Sequence, residues 1–282
     1  MKIYPIETGR FRLDGGAMFG VVPKALWSRT NPADDKNRID MAMRCMLIED
    51  GGRLILVDNG IGHKYDAKFQ KIYGVNHQHS TLDQSLHALG FDRSEITDVI
   101  LTHLHFDHVG GSTEWDSIKE RYVLAFPQAI HWVQKNHLQW ALNPNPREKA
   151  SFFHENIQPL VESGNLRMLD GETELFPHIE LKVFNGHTEG QQLPLIGYKG
   201  RKILFAGDVF PTYGHIPIPY VMGYDVRPLV TMDERAKLLP WLIEQEVILF
   251  YEHDPYHECG TITQNSRGKY VSGETFSLAE LG

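Results

Sequence analysis

Cysteine is scarce in this chain. Only Cys45 and Cys259 occur, far apart and outside any C-x-x-C unit, which excludes a disulfide framework and fits a reduced, cytoplasmic protein. No stretch is apolar for long enough to span a bilayer. The residues from Met1 to Arg10 alternate polar and apolar without a basic region leading into an apolar one, so no secretory signal is expected. Basic residues are outnumbered, with 28 Lys and Arg against 36 Asp and Glu and a net charge of -8. There is also no basic run, so nucleic acid is excluded as an expected partner. Linkers rich in Pro, Gly or Ser are missing too, and a single domain over 1–282 is expected.

What is present is the composition of a globular protein: 41% hydrophobic and 23% charged residues. Ile3 to Leu13 reads as a strand ending at Gly15-Gly16. Met43 to Glu49 and Leu54 to Val57 read as a hairpin around Asp50-Gly51-Gly52, and the second run stops at Asp58. Leu82, Leu86 and Leu89 recur at helical spacing between Ser80-Thr81 and Gly90. Val99 to Leu101, Tyr122 to Phe126, Leu181 to Phe184, Ile203 to Ala206 and Val247 to Tyr251 read as strands. Ala129 to Leu142, Ser151 to Glu162 and Asp233 to Gln245 read as helices. Strands and helices alternate along the chain, which indicates a layered α/β fold.

The most informative segment is Thr102-His103-Leu104-His105-Phe106-Asp107-His108-Val109-Gly110-Gly111, directly after a strand. In extended backbone alternate residues face the same way, so His103 and His105 can grip one ion while Asp107 and His108 serve a second. Gly110-Gly111 would let the chain turn tightly. His77-Gln78-His79 is an internal control: it has the same H-x-H spacing without a preceding apolar run or a following Asp-His, and is assigned to solvent or to the rim of a site. Other apolar runs end in the same manner, one leading to His187, one to Asp208 and one to His253. Each residue alone is an ordinary polar loop group, but their recurrence is a pattern. Asp254 and His257 compete with His253, which is preferred because it follows its strand directly. His131 and His137 fall on an expected helix and are read as surface or core residues.

In its H-x-H-x-D-H motif and its later His, Asp and His, the sequence resembles the metallo-β-lactamase superfamily. Gly15 to Lys24 (GGAMFGVVPK), the THLHFDH stretch and Asp208 to Thr212 (DVFPT) look like the quorum-quenching lactonase branch, related to methyl parathion hydrolases. The resemblance implies a four-layer αββα sandwich and a dinuclear centre. His103, His105 and His187 would bind one divalent ion, Asp107, His108 and His253 the other, and Asp208 would bridge them. Zinc is the expected metal, with manganese, iron or cobalt accepted by the same donors. Asp58, in VDNGIG, matches a D-x-G position and would orient a ligand from behind it.

A hydroxide held between two metals would then be the nucleophile, with Asp107 or Asp208 moving protons. The expected reaction is opening of a lactone, most simply an N-acyl homoserine lactone. Phosphotriester, phosphodiester and thioester hydrolysis remain alternatives on the same centre. A diiron oxidoreductase is disfavoured by His105 and by the lack of a flavin domain, and a non-catalytic metal module is the remaining alternative. Met18, Phe19, Phe106, Tyr213, His215, Tyr220 and Tyr224 are the candidate substrate contacts, the segments Met18 to Val22 and Pro211 to Tyr224 being read as loops over the metals or as core or dimer packing. Where related lactonases place a carbonyl-contacting Tyr, this chain has Pro211, and Tyr213, Tyr220 and Tyr224 are the residues that could replace it. A homodimer is left open.

Overall fold

The computed structural model describes residues 1–281. The chain divides into two compact units. The first comprises Met1–Arg10 and Met43–Gly171; the second comprises Phe11–Ala42 and the chain from Glu172 on.

A six-stranded sheet, all of it in the first unit except Phe11–Asp14 and Arg38–Ala42, has the order Lys2–Asp14, Arg38–Asp50, Arg53–Val57, Asp98–Ile100, Ile130–Gln134 and Leu166–Leu169. The expected hairpin forms with Asp50 opposite Arg53, and Gly51 and Gly52 take the two positive φ values, 56° and 80°, that its tight turn requires. From Arg53–Val57 onward, neighbouring strands run parallel, with Val57 beside Ile100 and Ile100 beside Trp132. Parallel strands deliver the residues after their C-terminal ends to one sheet edge, and here those are Asp58 after one strand and Thr102-His103 after the next. The helix Leu82–Ala88 is capped by the Thr81 hydroxyl and buries Leu82 and Leu86 against Leu47, Leu56 and Val99. Leu89 lies beyond it, 37% exposed.

The second unit carries a seven-stranded sheet ordered Tyr270–Phe276, Cys259–Gln264, Ile248–Phe250, Arg201–Phe205, Gln191–Tyr198, Ile179–Phe184 and Thr173–Phe176. Arg201–Phe205 and Ile248–Phe250 are parallel, with Phe205 beside Phe250. The shared rung sends Asp208 and His253 out at the same end. Ile179–Phe184 turns back into Gln191–Tyr198 with Phe184 opposite Gln191, so His187 lies in the connection between them. Leu193, Leu204, Phe210, Leu239 and Leu249 form the core of this unit.

Three sequence expectations are corrected. The run from Ala129 to Leu142 is not one helix: Ile130–Gln134 is a strand and only Lys135–Leu142 is helical. Parallel pairing on both sides of Ile130–Gln134 overrides local propensity. His131 therefore lies on a strand and His137 on a helix, and both are fully buried. The helix expected from Asp233 runs over Pro228–Glu244, starting at a proline whose missing N–H costs nothing in a first turn. Gly110 and Gly111 serve close approach rather than a special turn: Gly110 has ordinary helical angles, but a Cβ there would fall on the Ile61 carbonyl, and one on Gly111 would fall on that of Asn59.

The segment around Met18 is also not an overhanging loop. Gly15–Phe19 is a short helix whose N-terminus is capped by Asp14 Oδ1, which accepts the Ala17 N–H at 2.8 Å. Met18 and Phe19 are buried at 1% and 0% exposure. The Phe19 ring stacks on Trp27 at 5.3 Å and on His215 at 4.1 Å, with Tyr220 edge-on at 6.3 Å. Phe19→Ala is therefore expected to destabilise the fold by about 3–5 kcal/mol, as removal of a buried aromatic does. Denaturant unfolding measures this, and an unchanged midpoint would refute the packing role.

Candidate metal centre

In the first unit the motif after strand Asp98–Ile100 folds back on itself, and His103, His105, Asp107 and His108 are all buried. His103 Nε2 and His105 Nδ1 are 3.0 Å apart, and His108 Nε2 is 3.8 Å from Asp107 Oδ2. Which ring nitrogen carries the proton is set from behind. Asp58, fully buried with φ 55°, accepts the Thr102 N–H at 2.8 Å and the Thr102 hydroxyl at 2.6 Å. Because that hydroxyl donates to Asp58, its oxygen is free to accept from His103 Nδ1, 3.0 Å away. Asp58 Oδ2 also faces His108 Nδ1 at 3.1 Å. His105 is held through its other nitrogen, with Nε2 2.9 Å from Glu148 Oε1. The second Glu148 oxygen accepts from Trp140 Nε1 at 2.6 Å and Asn145 Nδ2 at 3.1 Å.

The second unit repeats the logic. Asp208 presents Oδ2 to His187 Nε2 at 3.0 Å and Oδ1 to His253 Nε2 at 3.2 Å. His187 Nδ1 donates to Asp225 Oδ1 at 3.0 Å, and His253 Nδ1 donates to the Ala42 carbonyl at 2.9 Å. Burial works against a charge on His187, but the Asp208 and Asp225 carboxylates on its two sides outweigh it and raise its pKa to about 10.

In a neutral ring whose far nitrogen is committed as a donor, the near one carries the lone pair. His103 Nε2 then faces His105 Nδ1 as acceptor against acceptor, and the Nε2 atoms of His187 and His253 converge on the Asp208 carboxylate, where a metal cation can replace a ring proton. Such contacts in a buried site call for a cation between them. Imidazole and carboxylate donors at these distances suit a divalent transition metal, so the residues present fit the metals expected of the sequence.

A family model described as the metallo-beta-lactamase superfamily matches residues 44–258. The chain belongs to this superfamily. It has the superfamily's fold and is a metal-dependent hydrolase. A probable metal-dependent hydrolase from Staphylococcus aureus superposes with a TM-score of 0.87 at 29% identity, covering 98% of each chain. AidC, a dizinc quorum-quenching lactonase solved with a product N-hexanoyl-L-homoserine, superposes with a TM-score of 0.77 at 23% identity over 97% of this chain and 94% of its own. An N-acyl homoserine lactonase of a Bacillus species is 24% identical over 271 residues, 92% of this chain and 95% of that protein.

Several other histidines and pocket candidates of the hydrolase brace or pack instead of facing a substrate. His215 is fully buried with both nitrogens engaged, Nδ1 with the Thr212 hydroxyl at 2.7 Å and Nε2 with the Met18 carbonyl at 2.9 Å. Burial and the Arg235 charge push its pKa down to about 3. It is a neutral packing residue and has no nitrogen left for a substrate. His77 is a brace between the Thr8 and Gly62 carbonyls at 3.0 and 3.1 Å rather than a rim residue, while His79 is exposed. Asp254 accepts the backbone N–H groups of Tyr213, Tyr256 and His257. Pro211 offers its carbonyl to the His253 N–H at 3.2 Å. Tyr213 is half-buried and stacks on His257 at 4.6 Å, Tyr220 is half-buried, and Tyr224 is 38% exposed. Phe106 joins an aromatic group with Phe69, Tyr73 and Phe153, at 5.3, 4.8 and 5.6 Å.

Sequence reasoning missed Asp225 and Glu148, which sit in the loop stretches GYDVRP and NPNPREK and belong to no motif. Asp225→Asn keeps the shape of the side chain but loses the charge that favours the Nδ1–H form of His187. It is expected to weaken metal affinity roughly 10- to 100-fold, as loss of a ligand-orienting carboxylate does. Competition against a chelator measures this, and an unchanged affinity would remove Asp225 from the site.

Proposed function

We propose that the two sets of ligands hold a pair of divalent ions in one dinuclear centre and that the protein opens lactone rings by hydrolysis, with N-acyl homoserine lactones as the natural class. The observation that supports the metal assignment is the convergence of buried ligand atoms within each set, His103 Nε2 on His105 Nδ1 in one and two histidine Nε2 atoms on the Asp208 carboxylate in the other. In this reading His103, His105 and His187 serve one ion, and Asp107, His108 and His253 the other. Asp208, with one oxygen toward His187 and the other toward His253, serves both. Zinc is the proposed metal. The lactone assignment rests on the lactonase relatives, each below 25% identity.

Bound divalent metals supply a nucleophilic hydroxide at neutral pH and polarise a carbonyl. The protein's own groups do the rest. Asp58, Glu148, Asp225 and the Ala42 carbonyl fix the ligand tautomers before metal arrives. Asp107 and Asp208 bring negative charge that offsets the two cations. Both Asp208 oxygens are flanked by histidine nitrogens. Asp107, with Oδ2 3.8 Å from His108 Nε2, and Asp208 are the two carboxylates that would move a proton to the departing alkoxide.

Protein purified without added metal should contain about two equivalents by elemental analysis, and His105→Ala should lower that number. Acyl homoserine lactones of several chain lengths, a simple γ-lactone, an aryl ester and a phosphotriester can be compared by proton release. The lactones should give the highest kcat/KM, with activity lost to chelator and restored by metal. A phosphotriester or aryl ester turned over well above every lactone would overturn the lactonase reading and leave the metal-dependent hydrolase standing. Asp107→Asn should lower kcat by roughly a hundredfold or more, the usual scale for a lost general acid.

A further inference from the structure

The first unit contains a cavity of about 250 Å³ lined by Asn59, His63, Lys64, Leu82, Arg93 and Trp115, among others. None of these is a proposed metal ligand. Leu82 and the half-exposed Trp115 give the cavity an apolar side. Asn59 is 1% exposed; its Nδ2 donates to Ser112 Oγ at 2.6 Å, while its buried Oδ1 has no protein partner.

Lys64 is held in an unusual way. Its Nζ donates to the carbonyl oxygens of Gly110 and Thr113, and among the described residues no carboxylate lies within ion-pair distance of it. A neutral amine has two N–H donors and one lone pair, so two carbonyls satisfy its donors and leave the lone pair over. An ammonium group would carry a third N–H without an acceptor. Burial pushes Lys64 down to about 7, against the opposing pull of Glu155 and Glu114. The Tyr65 ring, 5.0 Å from Nζ, also favours the ammonium form. Three other titratable groups line the cavity: His63 and Arg93 add no negative charge, and Glu114 does but is paired with Arg93, which also holds Asp83.

We propose that Lys64 is a nucleophilic amine opening onto this cavity and that it captures a small aromatic aldehyde as an imine. The lone pair forms the C–N bond to the carbonyl carbon, and the carbonyl oxygen leaves as water with the two amine protons, so no oxidant or reductant is consumed. Leu82 and Trp115 supply the surface against which an aromatic ring packs.

The test uses the whole protein with salicylaldehyde, trapping imines with cyanoborohydride and mapping labelled lysines by peptide mass spectrometry between pH 5 and 9. At pH 7 an ordinary lysine is neutral in roughly one molecule in three thousand, whereas an amine pushed down to about 7 is neutral far more often. Lys64 should therefore label roughly tenfold or more faster than the exposed Lys68. Its rate should level off above pH 8 while that of Lys68 still climbs. A bulky pyrene aldehyde should not reach Lys64, because the cavity is small. Lys64→Met should remove the fast label without altering the others. Labelling of Lys64 at the rate of Lys68, a rate still rising at pH 9, or equal capture of the bulky aldehyde would each overturn the proposal in the wild-type protein, independently of how the variant folds.

Discussion

Every histidine proposed as a ligand in this hydrolase is held from behind by a buried acceptor, and the rest of the candidate site depends on that constraint. Asp58 is the clearest case. One carboxylate reaches His108 directly and His103 through the Thr102 hydroxyl, so a single side chain fixes the proton position on both rings. Glu148 does the same for His105, with the opposite nitrogen. A neutral imidazole has one donor and one acceptor, and a buried donor must be paired. Pairing the far nitrogen therefore decides which lone pair is offered toward the metal. The positive φ of Asp58, uncommon for a residue with a side chain, is a cost the fold bears at the position where this accounting is settled.

The strands supply the other half of the placement. Parallel pairing of Arg53–Val57 with Asp98–Ile100 puts Asp58 beside the start of the histidine motif, and the Asp58 N–H donates to the Ile100 carbonyl at 3.0 Å. In the second unit the Phe205–Phe250 rung does the same for Asp208 and His253. A slip of register in either pair would move these side chains apart along the sheet, so the pairing of the continuously buried strands also places the donors. Beyond Asp208 the chain is held by Arg235, fully buried on the helix Pro228–Glu244. Its guanidinium donates to the carbonyls of Val209, His215 and Tyr220 and lies over the Phe210 ring at 5.1 Å. A rigid fork bonded to three carbonyls suits a segment that lacks regular secondary structure over most of its length.

Composition and spacing made the candidate site legible because a metal-ligating pattern leaves local marks. H-x-H-x-D-H directly after an apolar run needs only strand alternation and a turn, and both are local. His187, Asp208 and His253 were legible because each comes after a strand, and strand ends can be read from apolar runs. The hairpin around Gly51-Gly52 and the helix beginning at Leu82 derive from turn and capping residues in the same way.

The partners behind the ligands emerged only on folding, since Glu148 and Asp225 are ordinary acidic loop residues until they are buried against His105 and His187. Tertiary pairing also turned Ile130–Gln134 into a strand, because two parallel neighbours outweigh local helix preference. The later strands Cys259–Gln264 and Tyr270–Phe276, polar and rich in Gly, Thr and Ser, gave no apolar signal and exist through antiparallel pairing. Phe19, Met18 and His215 became packing residues for the same reason: apolar and aromatic side chains read alike in a pocket wall and in a core, and only the neighbours they acquire tell the two apart. The order of residues set which atoms could hold a metal; the fold set which face of each ring they offer, because a hydrogen bond across the core leaves no trace in sequence spacing.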